Sequence, residues 1–189
     1  GLGDTLSCLN ASLSPQERDT LFSLTDFGQV LDTAARAAPA PLAACRHDLV
    51  RLLALGEKIA FHLPGTSDSG TEARDWQATL VRECEAALTE LAHLAPWLLL
   101  PPHPVGLTAR LAELPVACTL AEIASLAAVS EVISDALNAD ERAWLFACRQ
   151  AINWGRCHAG ERLASIALLA EQLGEMAEME YDFLYDKTQ

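Results

Sequence analysis

Apolar residues recur along this chain at intervals of three and four, the signature of helices that bury one face. Ser14, Pro15 and Glu17 supply an N-cap, a proline in the first turn and a capping-box acid. They open a helix carried through Leu21, Leu24 and Leu31 that fades at Ala38-Pro39. A second helix follows Pro41, with Leu42, Cys45, Leu49, Leu52, Leu53 and Phe61 on its apolar face, and ends at Leu63-Pro64-Gly65. Residues 64–70 read as an exposed Gly/Ser/Asp-rich loop. Ser69 and Glu72 then cap a third helix with Trp76, Leu80, Cys84, Leu88 and Leu91 on one stripe, stopping at Pro96.

The segment 96–106, PWLLLPPHPVG, predicts a rigid extended connector, because its four prolines remove backbone donors and fix φ. We place a soft division there: an N-terminal helical part over 1–100 and a C-terminal helical part over 101–189, within what is at most two small units. A short helix is expected over Thr108 to Leu114. Thr119 with Glu122, and Asn138 with Glu141, cap two more. The last runs through Trp144, Leu145, Cys148, Ile152, Leu163, Ile166, Leu169 and Leu173 to about Tyr181, with Gly155 and Gly160 as bends or close-packing points. The fold class expected is all-α, an antiparallel bundle of about five to seven helices.

Composition sharpens this picture. Half of the chain is apolar, and β-branched and aromatic residues are scarce, which favours helix over strand. The 26 acidic and 13 basic residues leave a net charge of −13, and no basic cluster interrupts it, so neither nucleic acid nor an anionic lipid surface is an expected partner. The longest apolar run, Leu94 to Leu100 before Pro101, is far short of the roughly twenty residues of a spanning helix. Six cysteines without a C-x-x-C pair, Cys8, Cys45, Cys84, Cys118, Cys148 and Cys157, read as packed thiols.

The search for chemistry yields no catalytic, cofactor-binding or metal-ligating set. Phosphate loops, H-E-x-x-H, G-x-S-x-G and paired E-x-x-H motifs are all missing. Cys157 and His158 are adjacent, but helical neighbours diverge by about 100° and do not converge on one atom. His47, His62, His93 and His103 stand alone. Glu171, Glu175 and Glu178 share one solvated helical face. Trp76, Trp144 and Trp154 fall within apolar stripes and read as core; Trp97, in the proline-rich connector, is left open as a contact residue.

The C-terminal run Met179-Glu180-Tyr181-Asp182-Phe183-Leu184-Tyr185-Asp186 resembles the segment that leads into the glucoamylase-like domain of the cyclic β-1,2-glucan synthases of the NdvB type. That family typically reads Met-Asp-Phe-x-Phe-Leu-Tyr-Asp there, so Glu180 and Tyr181 are conservative departures. Leu94-x-Pro96-Trp97-Leu98 and Thr119-Leu-Ala-Glu122 are similar to the helical region preceding that domain. The resemblance implies a piece from the interior of a large bacterial inner-membrane enzyme that polymerises glucose from UDP-glucose and carries a phosphorylase-like domain. It implies no catalytic residue here. Its expected partners are the downstream glucoamylase-like domain and a β-1,2-glucan, with Trp97, Tyr181 and Tyr185 as the contact residues. The alternatives are a carbohydrate-binding module and an independent protein-interaction bundle.

Overall fold

The computed structural model describes residues 1–38, 40–63, 68–107, 119–126 and 137–177. Among them the chain is all-α, with seven α-helices and no strand. They are α1 (Leu2–Ser12), α2 (Pro15–Thr20), α3 (Phe22–Arg36), α4 (Leu42–His62), α5 (Asp68–Leu94), α6 (Leu120–Ser125) and α7 (Ala139–Ala177).

The caps read from the sequence form at three helix starts. Glu17 N–H donates to Ser14 Oγ, and the Ser14 hydroxyl, followed by the Ser14 N–H, donates to the Glu17 carboxylate and holds that carboxyl below its ordinary range. Thr119 with Glu122 and Asn138 with Glu141 repeat the reciprocal pair. α5 differs, since it begins at Asp68 and takes Ser69 into the helix. The helix expected from Pro15 through Leu31 is instead two, broken at Leu21 with φ −90° and ψ 70°. The break turns Leu21 into the core, where it is buried. α1 was not foreseen.

The expected extended connector is largely helical. Pro96–Leu99 and Val105–Leu107 form 3-10 turns, and between them Leu100 is extended and 101–104 carry no regular structure. Proline suits the first turn of such a helix because the donor it lacks would have had no partner. This segment is pinned to α7, where Trp144 Nε1–H donates to the Pro101 carbonyl at 2.9 Å and the His103 ring sits edge-on to Trp144. The short helix expected over 108–114 lies outside the described residues.

Two hydrophobic cores result. The first gathers Leu9, Leu24, Phe27, Leu52, Ile59 and Leu80 from α1, α3, α4 and α5. Buried Gln77 ties α5 to α4 by donating to the Gly56 carbonyl at 2.9 Å, and Thr5 of α1 donates to Glu83 of α5 at 3.0 Å. The second core gathers Leu107, Ile123, Leu126, Leu145, Cys148 and Ile152, with Leu42 and Leu94 packed against it from the first half of the chain. Phe61, expected on the apolar face of α4, is 86% exposed. The face that buries runs through Leu52, Leu55 and Ile59, and Phe61 lies about 200° around the helix from Ile59.

Candidate functional site

At the crossing of α5 and α7 a cleft brings together ionisable side chains from different helices. The last turn of α5 runs against the middle of α7 in the opposite direction. Leu94 lies over Gly155, His93 over His158, and Glu90 over Arg162. Gly155 is what permits this approach: a Cβ there would stand 2.5 Å from the Leu94 carbonyl oxygen and 2.7 Å from the Trp97 ring. Of the two glycines flagged as bends or packing points, Gly155 is the packing point, whereas a Cβ on Gly160 meets nothing. Neither interrupts the helix.

Around the crossing, the cleft of about 260 Å³ is lined by Glu90, His93, His158, Glu161, Arg162 and Ser165. The imidazoles of His93 and His158 stack edge to face with centroids 5.6 Å apart, and Trp154 packs on the other side of His158 at 5.1 Å. His158 Nδ1 is 3.5 Å from Glu161, and Arg162 pairs with Glu90 at 3.0 Å. The single cation of the cleft is thereby already matched by a carboxylate. Among the described residues no three His, Cys, Asp or Glu side chains are arranged to hold a metal ion. What remains is a polar junction with an indole beside it, suited to holding two helices together and to hydrogen bonding a neutral polar ligand.

The thiols offer little nucleophilic chemistry. Cys84 and Cys148 are buried, and burial pushes the Cys84 thiol up to about 11 and raises that of Cys148. Cys8 and Cys45 are half-buried, and Cys118 lies outside the described residues. Cys157 corrects the expectation of packed cysteines, since it is exposed on the outer side of α7.

The tryptophans divide differently from the sequence reading. Trp76 and Trp144 are partly buried against the first and second cores. Trp154, expected in a core, is 61% exposed, because the face of α7 that turns inward is Leu145, Cys148, Ile152, Gly155 and Ala159. Trp97, left open as a contact residue, is half-buried with its six-membered ring against α7 at Gly155. Tyr181 and Tyr185 lie outside the described residues. The juxtaposition of His93 with His158 was not legible, since they are 65 positions apart on helices whose crossing is set by Gly155.

No helix among the described residues is long and apolar enough to cross a membrane. Compared with family models, with curated proteins and with solved structures, the chain matches none. The likeness to the glucan synthases therefore stands on its short C-terminal motif and bears on function only as a proposal.

Proposed function

We propose that this chain is a non-catalytic helical scaffold and spacer belonging to a larger cyclic β-1,2-glucan synthase of the bacterial inner membrane. It positions the following glucoamylase-like domain relative to the transferase that draws on UDP-glucose. The observation that carries this reading is α7. Its 39 residues form one uninterrupted helix, about 58 Å long at 1.5 Å per residue. The last third, from Ala164 to Ala177, is exposed at every position, and the stretch before it is anchored in the second core. A rod anchored at one end and exposed along the other suits a spacer, and in the sequence it is followed by the 179–186 motif on which the family resemblance rests.

A second reading, a carbohydrate-binding module, draws on Trp154, an exposed indole beside the polar α5–α7 cleft. Aromatic faces with hydrogen-bonding neighbours are the usual means of holding a sugar ring. Isothermal titration separates the two. The chain is titrated with linear and cyclic β-1,2-glucans and, separately, with the downstream domain. Heat with the domain alone supports the spacer. Heat with glucan that Trp154→Ala abolishes supports the binding module, and silence with all of them refutes both.

A further inference from the structure

Two short patterns that mirror each other meet where α5 crosses α7. α5 carries Glu90-x-x-His93 and α7 carries His158-x-x-Glu161. Because the helices run in opposite directions, the reversed order places imidazole against imidazole, with ring centroids 5.6 Å apart. The close approach that Gly155 permits is what brings the two rings together.

The contacts of each ring fix what it has to offer. A carbonyl oxygen only accepts, so the 3.3 Å contact of His93 Nδ1 with the Thr89 carbonyl puts the proton on Nδ1. The Glu161 carboxylate, 3.5 Å from His158 Nδ1, favours the same tautomer there. Both rings thereby keep the lone pair of Nε2, and among the described residues neither Nε2 has a hydrogen-bond partner. A carbonyl or carboxylate behind Nδ1 is the support that metal-ligating imidazoles commonly have. Trp154, edge-on to His158 at 5.1 Å, buttresses that ring from the other side. Charge points the same way. Arg162 is matched by Glu90, which leaves the Glu161 carboxylate in excess in a cleft of a chain whose net charge is −13. Such a place repels anions and attracts cations.

We propose that His93 and His158 form a two-imidazole site for a late first-row divalent metal ion, of the class of Ni²⁺ and Zn²⁺, that bridges α5 and α7. Imidazole nitrogen suits these ions. Two rings bound through Nε2 to one tetrahedral ion, at a metal–nitrogen distance of about 2.1 Å, have centroids about 5 Å apart, so the pair has about half an ångström to close. Among the described residues no third protein ligand stands with them, and water completes the shell in the open cleft of about 260 Å³. The affinity is accordingly below that of a structural site with four protein ligands. The proposal needs neither the spacer nor the sugar-binding reading.

Isothermal titration of the metal-free chain with nickel chloride and, separately, zinc chloride tests it, in a Cys157→Ser background so that the exposed thiol beside His158 takes no part. One ion per chain is expected to bind, and the thermal midpoint is expected to rise with ion concentration. His93→Phe and His158→Phe keep an aromatic ring at each place and remove the ligand nitrogen. Each alone is expected to weaken binding at least about tenfold and to abolish the rise in midpoint. The Glu161 side chain is 76% exposed, so Glu161→Gln leaves the fold intact while weakening binding about tenfold through the support lost behind His158. No heat with either ion up to millimolar concentration overturns the proposal, as does binding that survives either phenylalanine variant. If His158→Phe loses its helical circular dichroism, His93→Phe, at an exposed position, decides the matter. Unchanged affinity in Glu161→Gln overturns the placing of the proton on His158 Nδ1.

Discussion

Gly155 sets how closely α5 and the following 3-10 turn approach α7, and its replacement by alanine tests that geometry. The added methyl group would stand 2.5 Å from the Leu94 carbonyl oxygen and 2.7 Å from Trp97. The first neighbour is backbone and has no rotamer through which to escape. The end of α5 must therefore move off α7, at the cost of about 1–3 kcal/mol that overpacking typically carries. Alanine returns about 1 kcal/mol through helix propensity. The net expectation is a loss of up to about 2 kcal/mol. Gly160→Ala supplies the control, because it lies in the same helix and its methyl meets nothing. Only the propensity acts there, and the expectation is a gain of up to about 1 kcal/mol.

Thermal unfolding followed by circular dichroism reads both variants. The two variants share the propensity gain and differ by the strain, so at about 2–4 °C per kcal/mol for a chain of this size the midpoints should separate by roughly 2–12 °C, Gly155→Ala below Gly160→Ala. Two variants that stabilise alike would refute the close crossing, and with it the meeting of His93 with His158. A Gly155→Ala variant that unfolds early but keeps its Trp97 environment would refute the claim that the strain falls on the Leu94–Trp97 turn.

Other consequences are read more simply. Phe27→Ala, at a fully buried ring in the first core, should cost about 3–5 kcal/mol in denaturant unfolding. Trp144→Phe keeps an aromatic ring but removes the hydrogen bond to Pro101 and the pyrrole half that packs against the second core, and should cost at least about 1 kcal/mol, whereas Trp154→Phe should stay within about 0.5 kcal/mol of wild type. At neutral pH an aromatic disulfide reagent should label Cys157 first and reach Cys84 and Cys148 only as the protein unfolds. Since the Cys84 thiol is raised from 9.0 to about 11 in the folded chain, the unfolded chain ionises first; stability should fall as pH rises from about 9 to 11, less steeply in Cys84→Ala.

What was legible in the sequence followed from local chemistry. The boxes at Ser14, Thr119 and Asn138 formed because each pairs a side-chain acceptor with an acid three residues on, a relation that needs nothing from the rest of the chain. α1 was legible in principle, since Leu2, Leu6, Leu9 and Leu13 step by four, three and four, although its glycines and polar residues obscured the pattern. The break at Leu21 had no such mark, because no proline or glycine announces it. The connector misled for a related reason: Pro96 reads as a helix terminator, yet proline is at home in the first turn of the 3-10 helix it begins. Trp154 and Phe61 were misplaced because apolar type was weighed above angular position; each lies off the face that its own neighbours bury. The candidate cleft was the least legible part, as it depends on a crossing set by the missing Cβ of Gly155.

α7 shows why periodicity reports a face without reporting what covers it. From Leu145 to Met176 the steps of three and four continue with one interruption, at Arg162, and by pattern alone the helix is uniform. Its surroundings are not: Ile152 and Ala159 are buried, while Leu169 and Leu173 are more than half exposed. The Arg162–Glu90 pair is, among the described residues, the last polar contact between α5 and α7 toward the C-terminal end of α7. Because helix-forming residues and a uniform period sustain α7 past that point, the helix continues to Ala177 and keeps its apolar stripe aligned with the face already used for packing. The Arg162–Glu90 pair, with both side chains half exposed, marks the edge of the packed region. Arg162→Leu should therefore change stability by less than about 1 kcal/mol, the scale of an exposed ion pair, in denaturant unfolding. A loss of about 3 kcal/mol or more would show that the pair belongs to the core and not to its edge.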